Sequence, residues 1–265
     1  MITDKLEIRD VDIVRYIQPL REGGSLPGLV EASDGFRYVI KFRGAGQGKK
    51  ALIAEFIGGE LARLLDLRVP EMVLADLDEG FGRTEPDEEI QDLFKFSVGK
   101  NLGVSFLDGA ITFDPNVNTI TPHEASKIVW LDALLMNVDR TVRNTNMLIW
   151  YKELWLIDHG AALYFHHNWK NWRETVEKSF VQIKDHVLLK QADQVVDIDH
   201  QCRSVIGPED IERILNSIPD EWLENTTDNI SADEAREVYL TFLSRRVSQS
   251  SIFVKEIENA RSSII

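Results

Sequence analysis

The sequence has a single cysteine, Cys202, which excludes an intramolecular disulfide and any zinc site built from several thiolates. Cys202 reads as a small buried apolar residue. No apolar run approaches the ~20 residues that a membrane-crossing helix needs. The opening Met1-Ile2-Thr3-Asp4-Lys5-Leu6-Glu7 lacks the basic start and apolar stretch of a secretory signal, so a cytoplasmic protein is expected. Positive charge is scarce as well. The 30 Lys and Arg stand against 44 Asp and Glu, and the formal net charge of −14 repels nucleic acid and anionic membrane alike. Neither is expected as a direct partner. Internal repeats and low-complexity tracts are absent.

What is present suits a folded enzyme. Hydrophobic residues make up 43% and charged residues 28%, enough apolar material for a substantial core. A chain of 265 residues exceeds the usual single-core size, so two lobes sharing a cleft are expected.

Residues 11–17, 29–32 and 36–42 are β-branched and aromatic segments separated by turn signals, with Ser33-Asp34-Gly35 closing one hairpin. They predict an antiparallel β lobe. The glycine-rich Arg21-Glu22-Gly23-Gly24-Ser25-Leu26-Pro27-Gly28 is either an ordinary turn or a loop whose backbone N–H groups cradle phosphates. Lys41, in Tyr38-Val39-Ile40-Lys41-Phe42, resembles the phosphate-contacting lysine of the Val-Ala-Ile-Lys strand of protein kinases. A flexible basic linker, 43–50, leads to a helix over 51–65 with apolar residues at every third and fourth position and Val69-Pro70 beyond it. A carboxylate on that helix would hold the lysine, and Glu55, beside the apolar face, is preferred to Glu60.

Residues 72–77 predict a further strand, 78–92 an acidic loop or small helix, and 94–107 the crossing between lobes. The groups that would meet an adenine cannot be placed from the sequence. Thr121-Pro122-His123-Glu124 carries the marks of a helix start, and the apolar face that follows delivers Asn137 and Asp139 at the far end. Asp132 inside that helix reads as a partly buried structural group. Trp169 to Trp172 read as packing or surface. Further helical patterns cover 208–216, 219–223 and a long run over 232–261.

Asp139, Asn144 and Asp158 stand at the rims of short apolar segments. Hard magnesium takes oxygen ligands, usually one or two carboxylates plus phosphate oxygens, and Asn144 with Asp158 fit that role. Asp139 has the five-residue spacing to Asn144 that separates the base-like aspartate from the metal-binding asparagine in protein kinases. Arg140 or Arg143 either steadies transferred phosphate or is a surface charge.

The run Leu131-Asp132-Ala133-Leu134-Leu135-Met136-Asn137-Val138-Asp139-Arg140-Thr141-Val142-Arg143-Asn144-Thr145-Asn146-Met147-Leu148, with Leu156-Ile157-Asp158-His159-Gly160, resembles the core of the HipA-like kinases. The likeness extends to the Lys41 strand, the helix with Glu55, Ile218-Pro219-Asp220-Glu221-Trp222 and residues 239–246. It is to the short, stand-alone members of a family of bacterial serine/threonine kinases that includes toxins of toxin–antitoxin pairs. The resemblance implies Asp139 as catalytic aspartate, Asn144 and Asp158 as magnesium ligands, Lys41 on the ATP phosphates, and a phosphate loop over residues 23–28 holding Gly23, Gly24 and Ser25. It further implies that Ser25 is a candidate for autophosphorylation. Thr141 and His159 depart from related kinases, which commonly have His and Phe there.

Together these readings predict an α+β, two-lobed protein-kinase-like fold, with an N-terminal antiparallel β lobe with one helix (residues 1–107) and a mainly helical C-terminal lobe (108–265). The expected function is ATP- and Mg2+-dependent transfer to a serine or threonine hydroxyl. A small-molecule or lipid kinase and a nucleotide-binding pseudokinase are the alternatives. ATP, a protein or small hydroxyl acceptor and a small antitoxin-like protein are the expected partners.

Overall fold

The computed structural model describes residues 6–20, 26–46, 48–83, 85–224 and 230–264. Five strands, β1 (Asp10–Pro19), β2 (Gly28–Ala32), β3 (Arg37–Lys41), β4 (Met72–Leu77) and β5 (Gly99–Ser105), close into a barrel in the order β1-β2-β3-β5-β4. Alternation along β1 turns Val11 and Ile13 inward, and the hairpin to β3 turns at Gly35, whose φ of 81° suits glycine. Four pairings are antiparallel as expected, whereas the seam between β1 and β4 is parallel. Parallel neighbours need a crossover, and α1 (Gly48–Leu64) lies between β3 and β4 to provide it. Tyr38, Ile40, Phe42, Val73 and Phe94 fill the barrel.

α1 begins at Gly48, so Lys49 and Lys50 belong to its first turn rather than to a linker. Its interior glycines each cost about 1 kcal/mol against alanine, and close packing explains them. A Cβ on Gly58 would stand 2.6 Å from that of His159, and one on Gly59 2.7 Å from Cε of Met72. The acidic segment resolves into a turn and a second helix beside the barrel, α2 (Glu88–Phe96), whose N-cap Asp87 accepts from Glu89 N–H at 3.0 Å. β5 occupies most of the segment expected to cross between lobes, and residues 106–110 connect it to the next strand.

The short β6 (Ile111–Thr112) pairs with β7 (Met147–Trp150), which pairs with β8 (Glu153–Leu156). The rest is helical: α3 (Pro122–Leu135), α4 (Trp172–Val176), α5 (Val195–Val205), α6 (Pro208–Asn216), α7 (Asp220–Leu223), α8 (Ala232–Ser248) and α9 (Ser251–Ser262). Thr121 caps α3 by accepting from Glu124 N–H at 3.2 Å. α3 is buried almost throughout and packs against α5, α8 and α9. The long run over 232–261 is broken at Gln249, because Ser250 O starts a new turn by accepting from Val254 N–H at 2.9 Å. Trp169 and Trp172 are buried packing residues, and Cys202 is fully buried with its thiol pKa pushed up to about 12 by desolvation.

Candidate active site

Three elements bring charge to one point. Lys41 ends β3, Glu55 lies about two turns into α1, and Asp158 follows β8. Lys41 Nζ donates to Glu55 Oε2 and to Asp158 Oδ1, both at 2.6 Å. Glu55 is only 2% exposed, whereas Glu60 pairs with Arg63 at 3.3 Å. Burial disfavours the ammonium charge, but the two carboxylates outweigh it and raise the Lys41 pKa above its ordinary value. Asp158 is lowered by Lys41 against the opposing effect of burial. Lys41 is thus held charged, and Asp158 ionised.

The end of α3 builds the second half. Met136 adopts a left-handed conformation (φ 55°) and turns the chain, after which Asn137 Oδ1 accepts from Asp139 N–H at 3.2 Å. Arg246 of α8 anchors this end by donating to Ala133 O at 2.7 Å and Leu134 O at 2.8 Å, carbonyls of the last helical turn. Asp139 accepts from Asn144 Nδ2 at 2.7 Å and Asn146 Nδ2 at 3.1 Å. Asn146 Nδ2 also reaches Asp158 O at 3.4 Å, so one buried amide ties Asp139 to the segment of Asp158. Sequence reasoning passed over Asn146. Its only signal is an asparagine immediately before an apolar strand, in a left-handed conformation (φ 48°) that asparagine tolerates.

Asp132 is fully buried rather than partly so, and it is the hub beneath this loop. It accepts from Arg140 Nε at 2.6 Å and Asn137 Nδ2 at 2.8 Å, and His186 Nε2 lies 2.9 Å away. His186 Nδ1 accepts from Leu188 N–H at 3.0 Å, which places the ring proton on Nε2, facing Asp132. Desolvation lowers the His186 pKa despite that carboxylate, so the ring is neutral. Burial alone would raise Asp132, yet Arg140 and His186 hold it well below the usual carboxylate range. Arg140 is therefore a buried structural cation and does not face transferred phosphate, while Arg143 is exposed.

His159 is fully buried against Gly58 of α1, and desolvation pushes its pKa down to about 4. A cavity of about 590 Å3 opens above Lys41, Glu55 and Asp158. Val39 and Val104 line it from the barrel and Leu148 and Ile157 from the other side, and Ser105, Phe106 and Leu107 also line it. Its apolar, slot-like walls and charged floor are what a flat base with a polyphosphate tail requires. Gly23, Gly24 and Ser25 lie outside the described residues.

The sequence model of the HipA-like kinases matches residues 13–253. Comparison with curated proteins gives no match. Among solved structures, the chain is similar to the Helicobacter pylori proinflammatory kinase CtkA at 12% identity and a TM-score of 0.56, covering 97% of this chain and 98% of that one. It is also similar to the Golgi casein kinase with Mn/ADP bound, at 13% identity and a TM-score of 0.50, covering 97% and 74% of the two chains. At these identities the structural likeness establishes the kinase fold. With the family match running from the first barrel strand into the last helix, the chain belongs to the HipA-like kinase family.

Proposed function

We infer that this protein transfers the γ-phosphoryl group of ATP to a serine or threonine hydroxyl, with Mg2+ as the metal. The observation that carries this is Lys41, held between Glu55 and Asp158 on the floor of an apolar slot and linked through Asn146 to Asp139. In this reading the slot binds the base, and Lys41 grips the phosphates in a geometry set by Glu55. Gly23, Gly24 and Ser25 are assigned to the phosphate loop, with Ser25 the candidate for autophosphorylation. The lobes meet after residue 107.

Asp158 and Asn144 would hold the metal. The donor set fits a hard cation: Asn144 uses its amide N–H on Asp139, and its carbonyl oxygen lies outside that bond. Among the described residues no group of three or more His, Cys, Asp and Glu side chains is arranged to hold a metal unaided, so in this reading phosphate oxygens and water complete the shell. Such an ion, when bound, neutralises charge on the phosphates. Asp139 then orients the acceptor hydroxyl and takes its proton, while Asn144 and Asn146 fix the direction of its carboxylate.

The proposed partners are ATP and a protein substrate; an antitoxin-like partner rests on the family likeness alone. Among the described residues no helix is long and apolar enough to cross a membrane, and the single cysteine is compatible with the cytoplasmic location proposed here. The test uses ATP labelled on its γ-phosphate, with mass spectrometry of the protein and of added acceptors. Label should enter serine or threonine and vanish in Asp139→Ala. Label that persists in that variant would sink the assignment, and label on lipid or small-molecule hydroxyls alone would move the substrate class.

A further inference from the structure

The segment Ile218-Pro219-Asp220-Glu221-Trp222 belongs to the family resemblance, yet it lies outside the site described above. Its helix, α7, packs against α1. From residue 51 to residue 59 every position of α1 is buried, so the helix that carries Glu55 has no free face along that stretch. Leu52, Ile53, Phe56 and Ile57 pack into the same core as the C-terminal helices, whereas the barrel encloses a separate one. Part of the cover is α7, which packs directly on α1.

The polar contacts of α7 converge on the turn between Lys41 and Glu55. Glu221 accepts from the Arg43 guanidinium, two residues after Lys41, and from Lys100 N–H at 3.3 Å. Lys49, in the first turn of α1, donates to Glu221 O at 2.5 Å. The Trp222 indole, 2% exposed, donates to Lys100 O on β5 at 2.8 Å. Gly99 makes room: its φ is 94°, and a Cβ there would stand 2.9 Å from Arg43 Nη1. Behind α7, Arg236 of α8 donates to Ile218 O at 2.9 Å and to the Asp220 carboxylate. The chain from β3 to α1 carries glycines at 44, 46 and 48, which permit many backbone paths. α7 grips both ends of that path, at Arg43 and Lys49.

We propose that α7 is a built-in clamp, with Glu221 and Trp222 as positioning residues that keep α1 inward and the Lys41–Glu55 pair formed without a partner protein. What the pair then does rests on the kinase reading; the clamping itself does not. In many kinases the corresponding lysine–glutamate pair is controlled by movement of its helix. Here the chain supplies the brace itself, which makes the arrangement constitutive.

Hydrogen–deuterium exchange on the full chain tests this, with ATP turnover measured in parallel. In Glu221→Ala, amides of residues 43–56 should exchange about tenfold faster while those of α9 stay at the wild-type rate. The kcat should fall about tenfold with the acceptor KM unchanged, since Glu221 bonds to Arg43, Lys49 and Lys100 and not to the proposed acceptor-facing Asp139. Glu221→Gln retains an acceptor for Lys100 N–H and should recover part of both effects, and it serves in place of Glu221→Ala if that variant does not fold. Trp222→Phe, which drops the indole N–H, should shift both readouts in the same direction. Wild-type exchange over 43–56 would overturn the clamp, as would an equal acceleration in α9, which marks general loosening. A wild-type protein with no turnover on any acceptor would defeat the kinase reading and leave the exchange result to decide the clamp.

Discussion

Replacing Arg140 by methionine preserves most of the side-chain length and removes the charge that Asp132 faces at 2.6 Å. Both side chains of the pair are 0% exposed, so water cannot compensate. Removing one partner of a buried ion pair typically costs about 3–5 kcal/mol, because the other charge is left uncompensated. His186 is neutral and donates only one hydrogen bond, so it cannot replace the lost cation. For a chain of this size about 2 °C of Tm is lost per kcal/mol, which gives a fall of roughly 6–10 °C. Arg140 Nη1 also donates to Asn146 O and, at 3.4 Å, to Ile157 O, so it staples the Asp139 loop to the strand leading to Asp158. Turnover at temperatures well below the new Tm should therefore fall as well. Arg140→Lys keeps the charge but not the fork and should lie between the two. Calorimetry and an ATP turnover assay read both effects. A Tm for Arg140→Met within about 1 °C of wild type would refute the buried-hub reasoning.

Lys41→Ala should lower kcat by about 10²–10³, the usual cost of removing one preorganised group at a transferring centre, and Glu55→Gln by less, in a steady-state assay. The two asparagines should separate. Asn144 is exposed, so Asn144→Ala should leave stability within about 0.5 kcal/mol and raise the magnesium concentration needed for half-maximal turnover. Asn146→Ala should lower both Tm and turnover, since it removes the buried link between Asp139 and Asp158. Finally, burial keeps His166 neutral, with a pKa well below the ordinary 6.5. The unfolded chain takes up a proton there that the folded chain refuses. Stability is thus full above pH 6.5 and declines as the pH falls below it, by up to ~1.4 kcal/mol per pH unit for this residue. His166→Phe should flatten that slope in urea titrations at pH 5 to 7, and an unchanged slope would contradict it.

Local chemistry was readable without the structure. Strand alternation, the Asp34-Gly35 turn and the Thr121 cap are decided by neighbours in sequence, and each appears where expected. The preference for Glu55 over Glu60 followed from its place beside the apolar face, and the structure puts Glu55 against Lys41. What escaped depends on distant partners. The parallel β1–β4 seam needs the packing of α1, and the inward turn of Arg140 needs Asp132 and His186, 8 and 46 residues away. No local pattern tells a buried arginine from one awaiting phosphate. Likewise, the break between α8 and α9 carries neither glycine nor proline and arises from backbone bonds around Ser250.

The most direct measurement is a structure of the protein with a non-hydrolysable ATP analogue and Mg2+. The base should lie between Val104 and Leu148, with Lys41 on the phosphates, Asp158 and Asn144 on the metal, and Asp139 facing the γ-phosphate. An analogue bound elsewhere, or bound in the cavity with its phosphates directed away from Lys41 and Asp158, would contradict the kinase assignment of this site.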